Sequence, residues 1–230
     1  MQTNPNTLAI SVTTVLVLIF TKRPIESTSC QIFTWILPHK KFPPESEGRR
    51  QKADMLGERI FRFIIYVASI SLLYKILLQE DCSFLSIYLG GSATDPKYYA
   101  NYPCINKPSY LEDLYVFKLT YHLYELIFCL ALQRKRRDFP EYILHHLMTW
   151  ALIFFSYTMN LSSQGAVTML VHDLSDLAVT LFKLTVDITP VYVEMTFYAA
   201  MVTSWVYLRL WFFPVHIIYQ YYLETLVITN

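Results

Sequence analysis

Two short stretches carry ionisable side chains where the chain is otherwise apolar: His145 and His146 in "EYILHHLMTW", and His172, Asp173, Asp176 and Lys183 in "GAVTMLVHDLSDLAVTLFKLTVD". One Asp near the centre of a membrane helix costs about 2.5 to 3.5 kcal/mol on insertion scales, so neighbouring carboxylates need a polar interior to face. Asp173 and Asp176 are three apart and His172 and Asp176 four apart, which puts all three on one broad helical face able to line a cavity. His145 shares a face with Glu141 and Thr149, while His146, rotated by about 100°, shares one with Tyr142. Only one imidazole can point straight into a shared cavity. The spacing leaves open which of the two does so, and the other orients it or supports it from behind.

Three chemistries use such residues. A di-metal lipid-oxidase site depends on HxxH or HxxHH repeats, which are missing from HH followed by HDxxD, so no metal is expected. A Ser-His-Asp hydrolase needs an exposed serine on a Gly-x-Ser-x-Gly elbow, which Ser156 and Ser175 lack. Histidine acting as base or nucleophile, with Asp to orient it and hold an amine, needs nothing this sequence lacks. The competing explanation is a buried hydrogen-bonded network that fixes helix packing. Intramembrane ionisable groups concentrated on two neighbouring segments favour function. The isolated His122 and His216 read the other way, as rings satisfied by a neighbour, and His39 falls in a polar loop.

The elements that must position these groups are membrane helices. Of 230 residues 54% are apolar and only 5 are glycine, and the mean hydropathy is positive, which is the balance of an all-α, polytopic membrane bundle. Lys and Arg total 19 against 18 Asp and Glu and cluster in short loops, so no basic face offers itself to nucleic acid. Spans of about 20 residues are expected at 7–21, 60–79, 112–132, 142–159, 165–187 and 193–213, the last continuing through a kink at Pro214. The stretch 22–59 reads as an irregular, proline-rich, basic cytoplasmic loop behind a retained N-terminal anchor. Basic "QRKRRD" after the third span and the slightly acidic 80–108 loop then place the N-terminus outside. Cys82 and Cys104 share that loop and could pair in an oxidising lumen or stay reduced. Cys129 is a small hydrophobe.

The same residues carry a resemblance. "RRDFPEYILHHLMTWALIFFSYTMNLSSQGAVTMLVHDLSDLAVTLFK" resembles the Lag1 motif (about 136–183) of ceramide synthases, in the TLC (TRAM, LAG1, CLN8) domain family. "ERIFRFIIY", "ANYP" and "YLRLWFFP" look like further elements of that domain, giving residues 1–57 as anchor and loop and 58–230 as the TLC domain. The resemblance implies sphingolipid metabolism in the endoplasmic reticulum: a fatty acyl group passes from acyl-CoA to the amine of a long-chain base. His145, His146, Asp173 and Asp176 would be catalytic: His145, turned into the cavity, as base or nucleophile, His146 orienting it, and the two carboxylates binding the ammonium and hydroxyls of the base or fixing an imidazole tautomer, with His172, Glu141, Asn160 and Lys183 supporting them. Arg134, Lys135, Arg136 and Arg137 would hold the CoA phosphates by charge, unless that run is only a topology signal. Acyl-CoA is a substrate there, and no cofactor is implied.

The sequence also departs from the family pattern. Ser163 and Thr180 stand where the family usually has Arg and Glu, and the chain ends at Asn230, about where a sixth helix finishes and before the family's last one. These departures raise an alternative: a non-catalytic subunit or lipid-binding element of a larger membrane complex, mitochondrial for instance, with a homodimer or neighbouring protein covering the sixth helix.

Overall fold

The computed structural model describes residues 5–79, 85–91, 110–134 and 139–229. The elements run α1 (Pro5–Ile36), α2 (Glu47–Leu77), a short 3-10 turn (Ile87–Leu89), α3 (Leu111–Leu132), α4 (Phe139–Thr158), α5 (Ser162–Thr185) and α6 (Val191–Trp205). A 14-residue stretch of wide, π-type helical turns (Val206–Tyr219) and α7 (Gln220–Thr229) follow. The architecture is the all-α membrane bundle expected, with no strand among the described elements.

Among the described residues, five helices are long and apolar enough to cross a membrane: Thr7–Ile36, Glu47–Leu77, Leu111–Leu132, Ser162–Thr185 and Val191–Leu223. The fourth expected span, α4, has 20 residues but does not meet that standard, because its first half spends Glu141, His145 and His146 on polarity. A helix that carries candidate chemistry is thus less suited to lipid than these five. The last span continues through Pro214, as expected, from Val191 to Leu223.

The expected irregular loop over 22–59 is corrected. α1 runs straight through Pro24 to Ile36, and α2 already begins at Glu47. Tertiary packing overrides the proline signal. A Cβ on Gly57 of α2 would come 2.6 Å from the Glu26 carbonyl oxygen of α1, so glycine is what lets the two backbones approach there. One helical turn further along, the Cys30 thiol donates to Asp54 Oδ1 at 3.0 Å. Buried Leu37, Ala53 and Leu56 form a small core with Phe33, Phe42, Leu184 and Ile188. Buried Arg49 closes the corner by donating to the carbonyls of Thr34 and Leu37 at 2.7 and 2.6 Å, which the end of α1 would otherwise leave unsatisfied.

The chain forms two compact units, one drawn from Met1–Ile19 and Lys75–Val167, the other from Phe20–Tyr74 and Thr168–Asn230.

Candidate functional site

In the first unit α4 starts at Phe139, with Pro140 in its first turn, where a missing N–H costs no helical bond. Glu141 follows in the same turn, a favourable place for a carboxylate at the positive end of the helix dipole. The inward stripe is Tyr142, His146 and Ile153. His146 and Ile153 are buried at 8% and 5% exposure, and the Tyr142 and His146 rings are 4.3 Å apart, centroid to centroid. The orientation expected for His145 is corrected: it lies on the exposed face with Glu141. Helical phase separates the two histidines but does not say which one turns inward; packing against α3 decides that. The His145 ring meets the His146 ring edge-on at 5.4 Å and 78°, so an accessible imidazole rests on a buried one. His122 of α3 is part of this group, 5.9 Å from the His146 ring, and is not the isolated, satisfied ring expected. His216, by contrast, stacks on Phe212 at 5.1 Å, as a packing histidine does.

In the second unit α5 presents its polar side chains to protein donors. Asp173, 6% exposed, accepts from Ser69 Oγ of α2 at 2.6 Å. Asp176 is paired with Arg209 of the π-type stretch, Nη2 to Oδ1 at 2.5 Å, and Arg209 Nε donates to Ser175 Oγ at 2.7 Å. The Ser175 hydroxyl in turn donates to the His172 carbonyl at 2.8 Å. The His172 Nδ1 lies 2.8 Å from the Thr168 carbonyl, a contact that a neutral ring makes by donating Nδ1–H, leaving Nε2 as the acceptor. Arg209 was missed as a site residue. The signal was available, because an arginine inside an apolar run must find an acid, and α5 holds two.

Asn160 has a structural job. It takes the left-handed conformation, φ 57°, and ends α4 with two bonds, Asn160 N–H to Tyr157 O at 3.2 Å and Leu161 N–H to Ser156 O at 2.9 Å, the Schellman pattern that asparagine tolerates. Just beyond, a Cβ on Gly165 would fall 2.0 Å from Ser156 Oγ and 2.2 Å from the Tyr115 hydroxyl. Those two oxygens are themselves hydrogen-bonded at 2.8 Å, so the glycine keeps room for the bond. Lys183 is exposed in the last turn of α5, where its charge suits the helix dipole. Ser163 and Thr180, 9% and 3% exposed, fill buried positions with small neutral side chains. Arg134 Nε donates to the Leu130 carbonyl at 2.6 Å, near the end of α3. Lys135, Arg136, Arg137, Cys82 and Cys104 lie outside the described residues.

A helical membrane bundle carrying a histidine pair on one helix and an His-Asp-x-x-Asp face on the next defines a narrow class of protein. The TLC domain of the TRAM, LAG1 and CLN8 proteins matches residues 56–229. This chain belongs to the TLC-domain family. It is 31% identical over 133 residues to ceramide synthase 4 of Bos taurus, covering 58% of this chain and 34% of that protein. Ceramide synthase 4 of Mus musculus is 30% identical over 182 residues, 76% of this chain and 42% of the other. Ceramide synthase LAG1 of Saccharomyces cerevisiae is 28% identical over 112 residues, 48% and 27% respectively. The chain thus spans less than half the length of these three relatives.

Proposed function

We propose that this TLC-domain protein is a sphingoid-base N-acyltransferase of the endoplasmic reticulum that takes its acyl group from acyl-CoA. The observation that carries the reading is the α4 pair, an exposed His145 in ring contact with a buried His146, in a chain whose matched relatives include ceramide synthases. Of the two rings His145 is the one open to a substrate, and His146 is packed behind it. His145 is the base or nucleophile and His146 positions it.

The thioester is already activated. His145 accepts a proton from the lipid ammonium, the freed amine attacks the acyl carbon, the C–N bond forms as the C–S bond breaks, and the nitrogen gives up a second proton, which neutralises the departing CoA thiolate. Alternatively the acyl group passes through the ring as an acyl-imidazole. Holding amine and thioester together supplies much of the rate. The resemblance gives Asp176 to the ammonium; within its own unit Asp176 is bonded to Arg209, which a ligand must displace, and Asp173 with His172 keeps the α5 face in register. Arg134 and the basic residues after it hold the CoA phosphates by charge.

The test is amide formation from labelled acyl-CoA and sphinganine by the purified full chain, with His145→Ala and Asp176→Asn beside it. Turnover in the wild type that both variants lose supports the enzyme. A well-folded wild type without turnover, or turnover indifferent to His145, sinks it. One observation favours a second reading, a lipid-binding or structural subunit: Asp173 and Asp176 are both bonded to protein donors, as a packing network requires.

A further inference from the structure

α3 is amphipathic in the inverted sense. Lys118, Tyr121, His122, Glu125 and Cys129 recur at helical spacing and are all buried, while Leu123, Ile127, Leu130 and Leu132 are exposed. In a helix long and apolar enough to span a membrane, ionisable groups turn inward only towards partners or a polar interior. Here the inward face meets α4. The Tyr142 hydroxyl donates to Glu125 Oε2 at 3.2 Å, and the same tyrosine ring packs on His146 at 4.3 Å. His122 approaches His146 from the next position on α3, 5.9 Å ring to ring, and T-stacks on Tyr121 at 5.2 Å. Its Nδ1 is buried with no hydrogen-bond partner among the described residues. A finished apolar core rarely leaves such an atom unsatisfied, so packing alone does not account for the stripe.

We propose that α3 supplies the positioning residues of the histidine pair: Glu125, acting through Tyr142, and His122 hold the ring of His146, and His146 fixes the ring of His145. The sequence alone hid this, because Lys118, His122 and Glu125 are spread thinly along an apolar run, and only the pairing of α3 with α4 brings them beside the histidines. The assignment rests on His145 being the reacting group, but the contact network is testable without turnover. A carboxylate bonded to the tyrosine fixes the phenol rotamer, and the phenol fixes the imidazole plane it packs on. Loss of either loosens His146 without touching the exposed face of His145.

The test uses the full chain in nanodiscs with its 6 histidines labelled with 15N and assigned one by one. Glu125→Gln and Tyr142→Phe should each move the ring nitrogen resonances of His146 and leave those of His172 and His216 in place. Should Glu125→Gln fail to fold, Tyr142→Phe, which deletes one hydroxyl, decides alone. In parallel, kcat for amide formation should fall by up to about a hundredfold in Tyr142→Phe, as misplacement of a reacting group allows, with KM for acyl-CoA unchanged. A folded Tyr142→Phe protein with unmoved His146 resonances overturns the positioning network. If the resonances move but the wild type forms no amide, the network stands and the acyltransferase reading falls.

Discussion

The polar faces of α4 and α5 are built from similar residues and treated in opposite ways. On α5 each carboxylate is occupied by a protein donor, Asp173 by Ser69 and Asp176 by Arg209, and the His172 ring is turned to a backbone carbonyl. On α4 the histidines are held by rings, His146 against Tyr142 and His145 against His146, and His145 stays exposed. The lesson is that buried charge in a membrane helix is first of all a cost to be neutralised. The side chain left accessible after that neutralisation is the better candidate for chemistry than the one most deeply buried.

The comparison breaks most visibly at Arg209. Removing one member of a buried pair costs about 3 to 5 kcal/mol. The side chains here are 20% and 27% exposed, which discounts the loss of Arg209→Ala to about 2 kcal/mol by solvent screening. The thermal midpoint should drop accordingly, and Arg209→Met with Asp176→Leu should recover most of it. A double variant as unstable as the single one would mean that Asp176 is not the group Arg209 neutralises.

Gly165→Ala comes next. Its Cβ would collide with Ser156 Oγ and the Tyr115 hydroxyl, so overpacking should cost about 1 to 3 kcal/mol. Adding Ser156→Ala should recover part of the loss, as read by denaturant or thermal unfolding.

The smallest effect sharpens the contrast by using a half-buried carboxylate with one exposed lysine partner, Lys41, as reference. Asp187, between α5 and α6, is bonded by Lys41 and by Lys52 at 2.8 Å, and those hydrogen bonds hold its carboxyl below the usual range. The same bond to Asp187 raises Lys41 above the ordinary lysine value. A depressed acid contributes stability that is present above its unfolded value, near pH 4, and fades as pH falls through the lower folded value; a raised lysine contributes below about pH 10.4 and fades as pH rises through its folded value. The difference in midpoint between wild type and Asp187→Asn should therefore be flat from about pH 5 to 9, shrink outside that window, and diminish at high salt. A difference that grows as pH falls below 4 would contradict the assignment.

Much of this is legible in the amino-acid sequence. The apolar runs announce a membrane bundle, and the unusual placement of His145, His146, His172, Asp173 and Asp176 within them marks the polar faces. What is not legible depends on partners far away in sequence. Pro24 and the basic residues after it read as a loop because nothing local reveals that α2 offers Gly57 for close packing. Asn160 reads as a site residue because a polar residue beside a motif resembles chemistry, whereas its left-handed φ is a backbone requirement. The inward turn of His146 follows from what α3 presents, and no periodicity within α4 contains that.

The central claim is that His145 of α4 reacts while Asp173 of α5 holds the fold. Its most direct test measures kcat and thermal midpoint together for His145→Ala and Asp173→Asn. The account predicts that His145→Ala keeps the wild-type midpoint and loses about 10² to 10⁴ in kcat, the range of a lost general base, whereas Asp173→Asn lowers the midpoint more than kcat. Wild-type turnover in a folded His145→Ala protein, or Asp173→Asn abolishing turnover at an unchanged midpoint, would contradict it.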